Sequence, residues 1–212
     1  MPYNFLAIDL GAESGRAILA TLDGGHLALT EIHRFANTPV RLPDGLHWDI
    51  LRLWAEIKTA LHIATHRHAV QLDGIGIDTW GVDYGLLDRT GALIGNPYHY
   101  RDSRTAGLVE VACQCVPRER IFDLTGVQFM ELNTLYQLYA LVKQSAPALQ
   151  IAHTFLTTPD LFNYWLCGRK ASEFTLATTT QCYDARRCEW SWPLLEALGI
   201  PTHIFPEVVQ PG

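Results

Sequence analysis

Basic residues are scarce in this chain and are not clustered. Its 212 residues include 16 lysines and arginines against 22 aspartates and glutamates, a formal net charge of −6 at pH 7. Broad nucleic-acid binding depends on grouped lysines and arginines that neutralise phosphates. Adjacent pairs such as Arg186 and Arg187 occur, but no basic run does. We therefore expect no nucleic-acid partner.

Long apolar runs and paired cysteines are missing as well. No stretch approaches the about 18 apolar residues of a transmembrane helix, and the first residues lack the basic and long apolar segments of a signal peptide. The five cysteines are odd in number and include no C-x-x-C pair. We therefore expect a cytoplasmic protein with reduced thiols and no membrane partner. The sequence indicates no oligomeric state.

No set of residues has the spacing of a metal centre. His62 and His66 lie one helical turn apart. A zinc site needs further His, Cys or carboxylate ligands, and none is placed to complete the set. We therefore interpret this pair as part of a solvated helix end.

The chain contains a β-meander followed by alternating helices and strands. Residues 4–10, 16–22 and about 27–34 read as strands, and the Asp-Gly-Gly turn within residues 22–26 suits a hairpin with positive φ. Apolar residues at helical spacing predict a helix over 49–65, capped by Asp49. Two short strands follow, around Ile75 and around Leu86. This order predicts an α/β domain with a mixed sheet covered by helices.

The second half is predicted to be mainly helical. Helices are expected near 104–114, 117–124 and 134–144, followed by a strand near 153–158 and a helix near 159–167 that ends at Gly168. Asp160 is predicted to cap this last helix.

The segment DLGAESGR, residues 9–16, joins the first two strands and has two interpretations. Gly11 and Gly15 allow a sharp turn that approaches a ligand without a Cβ clash. Successive backbone N–H groups in such a turn can bind an anion, and Ser14 and Arg16 add a hydroxyl and a positive charge. Asp9 can hold Mg²⁺ or its waters. The residues alone leave a plain hairpin and a phosphate loop equally open.

Several further stretches, in a fixed order, extend this interpretation. They are AIDLGAESGR (7–16), EIHRFAN (31–37), HWDI (47–50), IGIDTWGVDYGLLD (75–88), YRDSRT (100–105), TGVQFMELNTLYQLYAL (125–141), TTPDLFNYWLCG (157–168) and ATTTQ (177–181). Together they resemble the FGGY carbohydrate kinases, and within that family the rhamnulokinase branch. The resemblance implies an actin-like ATPase fold of the ribonuclease H type, whose mixed sheet opens with a three-strand meander and is flanked by helices.

The resemblance also favours the phosphate-loop interpretation of residues 9–16. It implies that ATP and Mg²⁺ are the cofactors and that Asp9 reaches the metal through water. The implied phosphate-binding residues are Asp9, Gly11, Ala12, Glu13, Ser14, Gly15 and Arg16.

The segment DTWGVDY offers groups that suit a sugar. Gly81 allows a polyol to lie on the backbone, Asp83 can accept hydrogen bonds from hydroxyls, and Trp80 can cover an apolar sugar face. The resemblance implies that this segment lines the sugar pocket. The alternative is a strand connection in which Asp78 and Asp83 are turn or cap residues.

Two further segments carry candidate substrate-binding residues. Arg101 and Asp102 of YRDSRT either support the sugar site or start a helix, with Asp102 or Ser103 as its N-cap. Asn133 either contacts a hydroxyl or caps the following helix. The family commonly has a lysine within that helix, whereas Gln137 stands here.

The resemblance implies that residues 1–212 are an N-terminal sugar-binding domain. In such kinases an aspartate acts as the base and a second domain binds the nucleotide, and both are expected beyond Gly212. The implied reaction is ATP-dependent phosphorylation of a ketose, with L-rhamnulose to L-rhamnulose 1-phosphate as the leading expectation. The chain by itself is expected to be inactive. The alternative is a non-catalytic sugar-binding or interaction module derived from a kinase.

Overall fold

A computed structural model describes residues 2–211 as strands and helices in alternation. Within this range the strands are β1 (Tyr3–Leu10), β2 (Ser14–Asp23), β3 (His26–Ala36), β4 (Val40–Leu42), β5 (Gly45–His47), β6 (Gly74–Thr79), β7 (Tyr84–Leu87), β8 (Thr154–Thr157), β9 (Ser172–Glu173), β10 (Tyr183–Asp184), β11 (Glu189–Trp190) and β12 (Val208–Val209). The helices are α1 (Ile50–His62), α2 (Leu108–Cys115), α3 (Arg118–Thr125), α4 (Thr134–Lys143), α5 (Pro147–Ile151), α6 (Thr158–Cys167), α7 (Phe174–Thr179) and α8 (Trp192–Ala197).

The chain divides into two compact units. Unit 1 comprises the chain through Val40 together with Trp48–Trp80, and unit 2 comprises Arg41–His47 together with the chain from Gly81. Each unit has its own buried side chains, so each is described separately.

Unit 1 is built on a mixed four-stranded sheet. Its strand order is β3-β2-β1-β6, in which β1 runs antiparallel to β2 and parallel to β6. The predicted meander is confirmed, and its second turn has positive φ at Gly24 and Gly25. Alternate residues of β1 are buried, as expected for a strand that packs on one face.

Helix α1 supplies the helical part of the unit 1 core. The Asp49 carboxylate accepts from the Arg52 N–H at 3.2 Å, which confirms the predicted cap. The buried residues recur at helical spacing: Ile50, Leu53, Ile57 and Ala60. The α-helix ends at His62, three residues before the predicted end, and continues as a π-helical turn over Ile63–Arg67.

Unit 2 is organised around α4. Every residue of α4 from Thr134 to Leu141 is buried, so this helix is surrounded by protein rather than lying on the surface. Strands β7 and β8 pair antiparallel. The helix predicted over 104–114 is instead a 3₁₀ turn at Ser103–Thr105 followed by α2, because Gly107 takes a left-handed conformation with φ of 73°.

Helix α6 confirms one expectation and corrects another. It ends at Gly168, which has a left-handed φ of 79°. The expectation that Asp160 caps the helix is wrong, since Thr157 occupies the N-cap position and Asp160 is the third helical residue. The Asp160 carboxylate instead accepts from the Thr157 hydroxyl at 2.6 Å and from the Glu173 N–H.

Among the described residues, no helix has the length and apolarity required to cross a bilayer.

Candidate functional site

The loop between β1 and β2 has a shape fixed by its own backbone and by Asn37. The Gly11 N–H donates to the Ser14 carbonyl at 2.9 Å, which closes the turn. The Asn37 N–H donates to the Glu13 carbonyl at 2.9 Å, and its side-chain amide donates to the Gly11 carbonyl at 2.8 Å. The Gly11 N–H is therefore already engaged, and any anion would meet the other amides of this turn.

The glycines of this loop are needed for packing rather than for positive φ. Neither Gly11 nor Gly15 is among the residues with positive φ. A Cβ on Gly15 would lie 2.4 Å from ring carbons of Phe35, and a Cβ on Gly11 would lie 3.1 Å from the Ser14 carbonyl oxygen. Gly15 is thus required because the Phe35 ring packs directly against the backbone.

Asp9 and Arg16, at the two ends of the loop, form an ion pair. The Arg16 guanidinium donates to Asp9 Oδ2 from Nε at 2.8 Å and from Nη2 at 2.6 Å, and both side chains are about half exposed. Asp9 is also the register partner of Asp78 on the neighbouring parallel strand β6. Two aspartates thus occupy paired positions near the carboxyl ends of parallel strands, and one of them is paired with a half-exposed arginine. Carboxylate oxygens suit a hard cation such as Mg²⁺.

The segment Gly81–Asp83 in unit 2 has a strained backbone. Val82 has φ of 69°, which is a genuine outlier for a β-branched residue. The Val82 carbonyl accepts from the Thr134 hydroxyl at 2.6 Å and from Gln137 Nε2 at 3.3 Å. Such outliers persist only where the surroundings hold them, and they cluster at functional sites.

Asp83 is buried beneath this segment. Its side chain is 1% exposed, and its oxygens accept from Gln137 Nε2 at 2.7 Å and from the Tyr100 N–H at 3.1 Å. Its carbonyl accepts from the N–H and the hydroxyl of Thr158. Asp83 therefore fixes the backbones of Gly81–Asp83 and of Tyr100 relative to α4 and α6.

Gln137 connects Asp83 to a buried cation. Its Oε1 accepts from Arg104 Nη2 at 2.7 Å, while its Nε2 donates to Asp83. The Arg104 side chain is buried, and its guanidinium lies 3.8 Å from the centroid of the Tyr98 ring. A side-chain amide can accept from a cation and donate to a carboxylate at once. Sequence reasoning noted Gln137 only as a departure from the family lysine and missed this connection.

The other predicted sugar-site residues of unit 2 differ in exposure. Asp102 caps the 3₁₀ turn by accepting from the Arg104 N–H at 3.0 Å, and it also accepts from the Leu46 N–H at 2.7 Å. Of the two interpretations left open for this segment, the structure shows the N-cap one, with Asp102 rather than Ser103 as the cap. Arg101 is exposed, with its guanidinium 5.4 Å from the centroid of the Tyr100 ring.

Asn133 occupies the N-cap position of α4, but its side chain makes no capping hydrogen bond. Its Nδ2 donates to the Gln128 carbonyl and to Gln181 Oε1, both at 2.8 Å. The amide thus ties two loops to the start of α4.

An open cavity of ≈ 510 Å³ lies beside these residues in unit 2. Its lining is Tyr100, Arg101, Asp102, Ser103, Thr105, Ala106, Glu131 and Leu132. It combines charged, hydroxyl and aromatic groups, which is the chemistry that recognises a polyol. In unit 1, Trp80 is half-buried and packs on Trp48, with ring centroids 3.9 Å apart.

The described residues contain no cluster of three or more metal-ligating side chains. The rings of His62 and His66 stack with centroids 4.1 Å apart. All five cysteines are free.

Residues 4–212 match the N-terminal domain of the FGGY family of carbohydrate kinases. A rhamnulokinase of Pectobacterium carotovorum subsp. carotovorum is 46% identical over 212 residues, covering 99% of this chain and 42% of that protein. A rhamnulokinase of Bacteroides thetaiotaomicron is 39% identical, covering 100% of this chain and 44% of that protein. The chain thus spans less than half the length of these curated relatives.

Solved structures with low sequence identity share the fold. A gluconate kinase from Lactobacillus acidophilus superposes with a TM-score of 0.87 at 16% identity, over 100% of this chain and 42% of that chain. A xylulose kinase from Rhodospirillum rubrum gives 0.84 at 18% identity, over 97% and 43%. These neighbours have the actin-like ATPase fold, which the mixed sheet and its helices share. On the match over residues 4–212, the chain belongs to the FGGY family of carbohydrate kinases.

Proposed function

We propose that this chain is the sugar-binding domain of an ATP-dependent kinase that phosphorylates L-rhamnulose to L-rhamnulose 1-phosphate. The observation that carries the proposal is the buried Asp83–Gln137–Arg104 connection, which holds a strained backbone beside an open cavity. Relatives at 39–46% identity that are named rhamnulokinase support the choice of sugar.

The proposed sugar-site residues divide into two groups. In unit 2, Gly81 is half-buried and Arg101 is exposed, so both are placed to meet a sugar. Trp80, in unit 1, is a proposed sugar contact that is half-buried. Asp83, Asp102 and Asn133 are buried and engaged in hydrogen bonds within the protein. We assign them the task of fixing the backbone that the sugar contacts. A site built this way disfavours ligands that leave its polar groups unpaired.

The loop at residues 9–16 is the proposed phosphate-binding element. Its members are Asp9, Gly11, Ala12, Glu13, Ser14, Gly15 and Arg16. Asp9 would hold Mg²⁺ through water, and its register partner Asp78 adds a second carboxylate that fits a hard cation. Bound Mg²⁺ offsets the charge of transferring phosphates. Arg16, half exposed, is the positively charged side chain that the loop itself offers to a phosphate.

Phosphoryl transfer also requires a base for the sugar hydroxyl and a site for the adenine. We propose that both belong to the part of the relatives' length that this chain does not span, and that residues 1–212 alone have negligible kinase activity. We further propose that the protein acts in the cytoplasm.

A thermal-shift panel tests the proposal. L-rhamnulose, D-xylulose, L-fuculose and ATP are each added to the 212-residue chain. We expect the melting temperature to rise most with L-rhamnulose, because ligand that binds only the folded state stabilises it. No rise with any ketose would contradict the sugar-binding assignment. Phosphorylation of L-rhamnulose by this chain would contradict the inactivity proposal.

The alternative function is a sugar-binding or interaction module without catalysis. It is favoured by the Asp83–Gln137–Arg104 connection, which lies entirely within unit 2. Adding separately produced C-terminal domain of a rhamnulokinase relative distinguishes the two. Restored phosphorylation supports the kinase, whereas sugar binding without restored activity supports the module.

A further inference from the structure

A second cavity in unit 2 is separate from the proposed sugar site. Its volume is ≈ 360 Å³. Its lining is Leu42, Asp44, His47, Tyr84, Leu86, Ile94, Gly95, Asn96, Pro97, Tyr98, Leu141 and Ala148. None of these residues lines the cavity beside Arg101. Most of the walls are apolar, and a few polar groups converge, as in sites for small organic molecules.

A neighbouring carbonyl locates one ring proton of His47. Its Nδ1 lies 3.0 Å from the Asn96 carbonyl oxygen. A carbonyl only accepts, so Nδ1 carries a proton. In the neutral ring Nε2 is then a bare acceptor. It is buried and has no hydrogen-bond partner among the described residues, and Asp44 Oδ1 lies 3.3 Å from it. In that neutral form, Nε2 and Asp44 Oδ1 are two acceptors that face each other in the cavity wall.

The formal charge of the lining is negative. Asp44 stands at the mouth with its side chain 62% exposed, and no lysine or arginine lines the cavity. Burial, and then the Asp44 carboxylate, raise the pKa of Tyr98, so its hydroxyl stays neutral. Arg104 lies over the Tyr98 ring but does not line the cavity. The Tyr98 hydroxyl is thus a neutral donor that the lining offers to Asp44, and no lysine or arginine of the lining pairs with this carboxylate.

We propose that this cavity binds a small organic cation, a primary ammonium on a compact apolar body, with the ammonium bridging Asp44 Oδ1 and His47 Nε2 from the cavity side. The body would contact Leu86, Ile94 and Leu141. An ammonium has three donors and no acceptor, so it satisfies both acceptors at once. The competing arrangement is a protonated His47 that pairs with Asp44 directly and leaves nothing for an amine to bind.

Hydrogen bonds link the wall of this cavity to residues of the proposed sugar site. Asp44 and His47 flank Leu46, whose N–H donates to Asp102. Asp102 caps the turn that carries Arg104, and Arg104 donates to Gln137.

The first test uses 2-phenylethylamine as the probe on the 212-residue chain, followed by amide NMR. We expect saturable shifts at Gly95 and Asn96 with a dissociation constant of about 1 mM. The isosteric 2-phenylethanol should bind about fivefold more weakly, since it lacks the charge that pairs with Asp44. The carboxylate 3-phenylpropionate should not bind.

Two variants and a control complete the test. Asp44→Asn should weaken the amine about fivefold and leave the alcohol unchanged. Ala148→Leu should weaken both, because it fills the half-buried edge of the cavity. Asp23→Asn, at an exposed turn of unit 1, is the matched control. Equal affinity for amine and alcohol, or no saturable shift up to about 10 mM, overturns the proposal. The comparison of amine and alcohol affinity on the unmodified chain tests the proposal even where a variant fails to fold.

Discussion

The two loops assigned to phosphate and to sugar are built in opposite ways. The loop at residues 9–16 displays an exposed ion pair between Asp9 and Arg16. The segment Gly81–Asp83 rests on a carboxylate that is almost wholly buried and held by Gln137. A buried polar group is costly unless every partner is in place. The sugar-side segment is therefore preorganised, whereas the charged side chains of the phosphate-side loop remain open to solvent.

The two segments also differ in what holds their backbone in shape. Gly15 has ordinary φ and is required by the Phe35 ring that packs on it. Val82 has positive φ and is held there by Thr134 and Gln137. Strain is thus stored at the sugar side, where it fixes geometry. The phosphate side instead achieves its shape by close packing.

Gln137→Glu should have the largest effect. It places a second carboxylate against buried Asp83 and removes the donor to the Leu132 carbonyl. We expect the free energy of unfolding to fall by about 3–5 kcal/mol, measured by urea titration at pH 7. Lowering the pH should recover part of this loss, because protonation of the introduced carboxyl removes the repulsion.

The matched control is Gln144→Glu, at the exposed C-cap of the same helix. It should change the free energy of unfolding by less than about 0.5 kcal/mol. Equal losses from the two variants would show that the Asp83 connection has no special role.

Gly15→Ala should have the next largest effect and tests the phosphate side. The added methyl would overlap Phe35, so we expect a loss of about 1–3 kcal/mol in the free energy of unfolding. Gly11→Ala should cost less, because its nearest contact is 3.1 Å rather than 2.4 Å. A calorimetric melting curve of each variant measures the difference, and the reverse order would refute the packing explanation.

Local structure was largely predictable from the sequence, and the connections within the proposed sugar site were not. Turn glycines, apolar spacing and the Asp49 cap identified the meander, α1 and the end of α6, because these signals lie within a few residues of one another. The pairing of Gln137 with Asp83 and Arg104 joins residues 54 and 33 positions away. Such contacts depend on how elements pack, which local patterns do not encode.

The same limit explains the errors at Asp160 and Gly107. The Asp160 carboxylate bonds to Glu173, thirteen residues away, rather than to the helix start alone. Gly107 divides a helix that apolar spacing predicted as continuous, since its left-handed conformation ends regular hydrogen bonding.

Asp160→Asn should change the pH dependence of stability. Burial raises the pKa of Asp160 to about 6. At pH values between the ordinary pKa of an aspartate and about 6, the Asp160 carboxyl is ionised in the unfolded chain but protonated in the folded chain. The group therefore lowers stability as pH rises through this window. We expect the variant to reduce the fall in unfolding free energy from pH 4.5 to 7 by about 2 kcal/mol, measured by urea titration. An unchanged fall would contradict the assignment.

Arg16→Met should have the smallest effect on stability. Its ion pair with Asp9 is half exposed, and such pairs contribute about 0–1 kcal/mol. We expect a change below about 0.5 kcal/mol in the free energy of unfolding, measured by thermal melting at low and high salt. A loss as large as that of Gly15→Ala would mean that the loop depends on the ion pair.

Isothermal titration calorimetry of L-rhamnulose tests most directly whether the sugar side is the preorganised one. The chain is compared with Asp83→Asn and with Arg16→Met, each first shown to be folded by circular dichroism. We expect Asp83→Asn to weaken sugar binding by about tenfold or more, because the segment at Gly81 loses the carboxylate that fixes it, while Arg16→Met leaves sugar binding unchanged. Equal sugar affinity in the chain and in Asp83→Asn would show that Asp83 does not preorganise the proposed sugar site.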